Sequence, residues 1–212
     1  MPNATTRLFV AGLLVVLPAS AGNPALATSA QAAGKTRVCV NSSTYAAASA
    51  LTRAKIITSR MFLTAGVALE WQSIGTAACR GSQQTQTVIL DFSTDTPPSE
   101  HFGAMAYALP YEAVHIVVLF DRIQRSAGGP TQLSALLAHV MTHEITHLLQ
   151  GISRHTATGV MKAHWDAKDV ADMAQDPLPF ASEDIDLIQR GLVRRAAGST
   201  SGLPPGAMAE LR

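Results

Sequence analysis

Charged residues are scarce in this sequence. Asp, Glu, Lys and Arg make up 15% of its 212 residues and leave a formal net charge of +1. A balance so near zero excludes the broad basic footprint on which nucleic-acid binding depends. Aromatic residues are scarcer, at 5%, and there are two cysteines, Cys39 and Cys79. Two cysteines cannot build a disulfide-dense mini-scaffold or a four-cysteine zinc ribbon. No internal repeat is present. Beyond the N-terminal segment no apolar run is long enough to cross a bilayer, so no membrane span is expected in the mature chain. What the chain does have is 47% hydrophobic residues, too many for a disordered protein. The length suits one domain plus processing segments.

Residues 1–21 have the pattern of a secretory signal peptide. Arg7 precedes an apolar run from Leu8 to Leu17, interrupted only by Gly12. Pro18 and Ala19-Ser20-Ala21 then supply a turn and a small-x-small cleavage site, and Ala25-Leu26-Ala27 is a second one. The alternative is a membrane anchor, but the run is about half the length a spanning helix needs. No cysteine follows it to carry a lipid. The expected location is therefore secreted or periplasmic. Such a compartment is oxidising, which makes Cys39 and Cys79 a candidate disulfide.

Residues 22–36 are small, Ala-rich and expected to be a disordered spacer. Arg37 to Asn41 reads as a strand. Ser42 to Ala65 reads as a helix, with Ala47, Leu51, Ala54, Ile57, Met61 and Phe62 close to a 3.6-residue period. Val67 to Trp71 and Thr87 to Phe92 read as strands, separated by a polar loop from Gly75 to Gln86. Gly103 to Leu109 precedes Pro110 and suits an edge strand. Val114 to Phe120 (VHIVVLF) is the strongest strand signal. A helix is predicted from Thr131 to Gln150, stopped by Gly151, and a short one over Asp166 to Ala174. The last helix starts at Ser182 as N-cap, with Glu183, Asp184 and Asp186 in its first turn. Arg190, Arg194 and Arg195 are placed at its end, where they suit the helix dipole. Residues 198–212 read as a flexible tail. This order predicts an α/β (α+β) domain: a mixed, twisted sheet of about five strands with two long helices packed on it and a C-terminal helix.

Seven histidines are present, and four of them lie between His139 and His155. His143-Glu144-Ile145-Thr146-His147 is an H-E-x-x-H sequence inside the predicted helix. Residues four apart share a helix face, so both imidazoles can reach one ion. Glu144, beside the first ligand, can take a proton from a water that the ion activates. At this chain's His and Glu frequencies the pattern arises by chance in about 0.6% of chains this size. A catalytic zinc wants a third protein ligand. His139 and His147 are eight residues apart, about 12 Å along a helix, so His139 cannot join the pair and is expected to pack or support. His155, shortly after Gly151, is the favoured third ligand. His164, Asp166 and Asp169 are further candidates.

The stretch from His143 to His155 resembles the metzincin clan of zinc endopeptidases, whose pattern is H-E-x-x-H-x-x-G-x-x-H followed by a Met-turn. Here Gly151 comes one position later and His155 two positions later. Thr156 to Met161 resembles the matrixin segment that follows the third histidine, which makes Met161 the expected Met-turn residue. Ser182 to Gln189 (SEDIDLIQ) is similar to the acidic start of the matrixin C-terminal helix. Gly159 to Trp165 (GVMKAHW) is similar to the ending of a group of uncharacterised secreted bacterial metzincin-like proteins, and Trp165 is expected to be a packing residue. The resemblance implies a zincin fold over residues 37–197. It also implies one catalytic Zn2+ on His143, His147 and His155, with Glu144 as general base. The implied substrate is a peptide or protein that pairs with the Gly103–Leu109 edge. No cysteine-switch motif is present. Two alternatives stay open: a non-catalytic zinc-binding or adhesion domain, and a zinc hydrolase of another clan with Asp169 or Glu183 as third ligand.

Overall fold

The computed structural model describes residues 34–41, 48–80, 87–97, 103–108 and 114–201. The expected signal peptide (1–21), most of the spacer and the tail beyond residue 201 lie outside the described residues.

Alternation of apolar and polar residues builds the sheet. β1 (Gly34–Asn41), β2 (Val67–Ser73), β3 (Thr87–Ser93), β4 (Ala106–Ala108) and β5 (His115–Leu119) assemble in the order β2-β1-β3-β5-β4. β1 runs parallel to both β2 and β3, and β3 parallel to β5. β4 is antiparallel to β5 and forms the edge, as expected for this segment. Val38 pairs with Val88, and Leu90 with Ile116. These residues, with Val40 and Val118, are buried on one face of the pleat. β1 starts at Gly34, ahead of the expected Arg37.

Two long helices form the core with that face. α1 (Ala48–Thr64) buries Ala50, Leu51, Ala54, Thr58, Met61 and Phe62, a stripe at helical spacing. The expected first residues of this helix, 42–47, lie outside the described residues. α4 (Pro130–Gln150) has Pro at its start and Gly151 at its C-cap, at φ 67° and ψ 25°. That left-handed conformation is open to glycine without a Cβ clash. The helices pack on each other, and the Thr58 hydroxyl donates to the Ala138 carbonyl across the buried contact (3.2 Å). Phe62, Leu136, Leu137, Met141 and Ile145 are all fully buried. Each such side chain contributes about 1.5–3 kcal/mol relative to exposure.

Two short helices depart from the sequence reading. α2 (Ala77–Arg80) lies inside the expected polar loop, and it carries Cys79 into a disulfide with Cys39 of β1. The bridge spans 40 residues of sequence. Closing such a loop in the unfolded chain is worth about 4 kcal/mol. α3 (Phe120–Ser126) follows β5 directly, so Phe120 opens a helix rather than ending the strand. Phe120 and Ile123 are buried, and Arg125 pairs with Asp121 one turn away (2.9 Å). The buried side of this short helix continues the apolar run of the strand, which hid the boundary.

α5 (Ala167–Met173) opens with a capping box formed by Asp166 and Asp169. α6 (Ser182–Ser201) begins one residue differently from the expected cap. The Ala181 carbonyl accepts from the N–H groups of Asp184 and Ile185, and Asp184 Oδ2 accepts from the Ala181 N–H. Ala181 is therefore the cap and Ser182 the first helical residue. α6 also runs on past the three arginines. Arg194 and Arg195 are not at its end. They donate to the carbonyls of Gln150 (2.5 Å) and Leu148 (3.0 Å), capping the C-terminus of α4 instead. Among the described residues, no helix is long and apolar enough to cross a membrane.

Candidate metal centre

α4 sets two of the three histidines by its period alone. His143 and His147 stand one turn apart on the same face, with ring centroids 4.6 Å apart. After Gly151 the chain turns back and brings in His155, 5.2 Å from the His143 ring and 5.0 Å from the His147 ring. His147 Nε2 lies 3.0 Å from His143 Nε2 and 3.3 Å from His155 Nε2. One ligand atom from each of the three histidines lies within 4.8 Å of the other two. The longer spacing thus does not keep His155 from the pair.

The other ring nitrogens settle the tautomers. His143 Nδ1 faces the Val160 carbonyl at 3.0 Å, and His147 Nδ1 faces the Ile152 carbonyl at 3.2 Å. A carbonyl only accepts, so each Nδ1 carries the proton and donates. Each Nε2 is then a bare lone pair directed at another lone pair at hydrogen-bond distance, with no proton between them. Converging acceptors of this kind repel unless they share a cation. Two imidazoles on a tetrahedral zinc at about 2.0–2.1 Å stand about 3.3–3.4 Å apart, which the observed separations approach. The donor set, three imidazoles of which two are oriented by backbone carbonyls, fits a zinc-type ion.

Burial controls the protonation. It pulls the His143 imidazole down to about 4, helped by the neighbouring His147, against the opposing bond to Val160. It pulls His147 down to about 4 as well, opposed by the Ile152 carbonyl and aided by His155. Both rings are therefore neutral, as a ligand must be, above about pH 5. Burial acts oppositely on Glu144 and pushes its carboxyl up to about 7. No hydrogen bond or ion pair among the described residues engages that carboxyl. It is poised to exchange a proton near neutral pH.

The remaining candidates fall outside the cluster. His139 is fully buried, donates from Nδ1 to the Ala135 carbonyl (2.7 Å) and accepts at Nε2 from the Leu178 N–H (2.9 Å). It is a packing residue, as its spacing implied. Trp165 is half-buried and sets its ring edge-on to both His139 and His143, at 6.2 and 5.6 Å. Asp166 and Asp169 are occupied in the α5 cap and with Lys162, and Glu183 pairs with Arg154. His164 is exposed and is not in the cluster. Met161 is fully buried, and its carbonyl accepts from the Thr156 N–H (2.8 Å). The Val160–Met161 segment therefore touches both the His143 ring and the chain just after His155. Sequence reasoning missed the two orienting carbonyls, of Val160 and Ile152, because backbone groups carry no side-chain signature.

Sequence comparison finds no matching family model and no matching curated protein. The fold is similar to the crystal structure of archaemetzincin from Methanopyrus kandleri at 1.5 Å resolution, with a TM-score of 0.52 and 15% identity. The alignment covers 76% of this chain and 97% of that one. At that identity the likeness establishes the architecture: a metzincin-like α/β fold, with the five-stranded mixed sheet and the histidine pair on α4.

Proposed function

We propose that this protein is an exported zinc-dependent endopeptidase. The observation that carries the reading is the convergence of three Nε2 atoms, from His143, His147 and His155, beside an unpaired Glu144 on a metzincin-like fold. His143, His147 and His155 would hold the ion. A divalent ion there supplies Lewis-acid chemistry, acidifying water and polarising a carbonyl.

Glu144 supplies the proton transfer. As a carboxylate it takes the proton of the attacking water as the oxygen–carbon bond forms. It delivers that proton to the amide nitrogen as the carbon–nitrogen bond breaks. Burial keeps its carboxyl near neutrality, where both transfers are accessible. The edge position of β4, packed against α4, supports a substrate that lies extended and pairs antiparallel with it. The resemblance of Thr156–Met161 and Ser182–Gln189 to matrixins supports Met161 as the Met-turn residue beneath the site. Export is supported by the N-terminal Arg7–Leu17 pattern and by the Cys39–Cys79 bridge.

The test is Glu144→Ala, assayed on a diverse peptide library after zinc loading. The expected result is loss of hydrolysis with one zinc still bound per chain. Undiminished cleavage by that variant refutes the assignment of the base. A parent protein that binds zinc and cleaves nothing in the library points to a zinc-binding domain without catalysis.

A further inference from the structure

Two of the three histidines stand on a rigid helix, but the third does not. His155 follows the irregular stretch Gly151–Arg154, two residues longer than the metzincin spacing provides. Ile152 and Ser153 in it are exposed. Something must fix this longer stretch if His155 Nε2 is to stay 3.3 Å from His147 Nε2.

The residue before His155 is bound to the start of α6. Arg154 Nη2 donates to Glu183 Oε2 at 2.6 Å, and Nη1 lies 3.7 Å from Asp184 Oδ1, a charge contact. Asp184 is itself held in place by its surroundings. It is 1% exposed, and its Oδ2 accepts from the Ala181 N–H at 3.2 Å. Gln150, the fully buried last residue of α4, directs its Nε2 at the Asp184 carbonyl (3.3 Å) and Oδ1 (3.5 Å). One buried carboxylate thus faces both the end of α4 and the residue beside His155. On the far side, the Thr156 N–H is bonded to Met161. Arg154 is the only side chain among Ile152, Ser153 and Arg154 with a bond to another element among the described residues.

We propose that Arg154, clamped by Glu183 and Asp184, is a positioning residue that holds His155 in the ligand cluster across the lengthened spacing. A planar guanidinium suits this role, because it can engage two carboxylates from one side chain. Lysine offers a single point charge. The proposal rests on the metal reading above, since it assigns Arg154 no role beyond the placement of His155.

The experiment is equilibrium zinc binding by chelator competition on full-length mature protein, comparing the parent with Arg154→Ala, Arg154→Lys and His155→Ala. Apo-protein melting and the visible spectrum of the cobalt-substituted protein are recorded for each. Arg154→Ala is expected to weaken zinc binding about 10- to 100-fold, as removal of groups that orient ligands does. Its cobalt spectrum should shift toward that of His155→Ala. Arg154→Lys should recover part of the affinity, and it serves as the informative variant if Arg154→Ala fails to fold. A purely structural arginine would lower apo melting and leave zinc affinity and the cobalt spectrum unmoved. That result, with His155→Ala clearly weakened, overturns the clamp alone. A parent protein that takes up no zinc overturns the metal reading, and the clamp with it.

Discussion

Gly191 of α6 gives the sharpest test of how the helices are packed behind the site. A Cβ added there would lie 1.7 Å from the Leu149 carbonyl oxygen, 2.8 Å from its carbon and 3.2 Å from Gln150 Cα. All three are backbone atoms of α4, so no side-chain rotation relieves the overlap. Ordinary contact begins near 3.4 Å, which demands that α4 and α6 move apart by roughly 1.7 Å, a backbone shift of the kind overpacking forces. Such a shift breaks the 3.0 Å bond from Arg195 to the Leu148 carbonyl and loosens the buried Leu149 and Ile188. Overpacking of this kind costs about 1–3 kcal/mol, and a hydrogen bond from a charged donor about 1.5–3. The expected destabilisation of Gly191→Ala is therefore about 3–5 kcal/mol, or roughly 10 °C in Tm for a domain of this size. Thermal unfolding followed by circular dichroism measures it. Gly75→Ala is the control, because nothing lies within 4 Å of its Cβ position. If Gly191→Ala melts together with the control, the close approach of the helices is refuted.

Two further outcomes follow from the same structure. Burial holds His139, His143 and His147 at about 4, below the 6.5 of a free imidazole, so the unfolded chain binds more protons between those values. Their contribution is present above pH 6.5 and is lost as pH falls toward 4. Glu144, raised to about 7, acts oppositely: its contribution is present below about 4.5 and is lost as pH rises through 7. Three groups outweigh one, and metal-free protein should be less stable at pH 4.5 than at 6.5 in urea unfolding; equal midpoints would contradict the buried neutral histidines. Reduction of the Cys39–Cys79 bridge should lower the unfolding free energy by about 4 kcal/mol, and a midpoint indifferent to reductant would show that the bridge does not constrain the unfolded chain.

Much of this arrangement was legible in the residues, for identifiable reasons. α1 and α4 announce themselves through long apolar stripes, and β1, β3 and β5 through β-branched runs. The H-E-x-x-H spacing fixes a shared helix face, so His143 and His147 needed no tertiary information. α2 is too short for a 3.6-residue period to show, and α3 continues the apolar run of β5. The order of strands within the sheet depends on pairings between distant segments. Arg194 and Arg195 look like partners of their own helix dipole, yet α6 continues past them and they serve the carbonyls of α4. The place of His155 was the least legible, because spacing alone does not reveal that Arg154 finds Glu183 and Asp184 across the fold.

Three histidines converge on one candidate ion site. Isothermal titration of chelator-stripped mature protein with zinc tests it most directly, alongside a variant with His143, His147 and His155 all replaced by alanine. One tight site per chain is expected in the parent and none in the variant. A parent that binds no zinc, or a variant that binds it equally well, would contradict it.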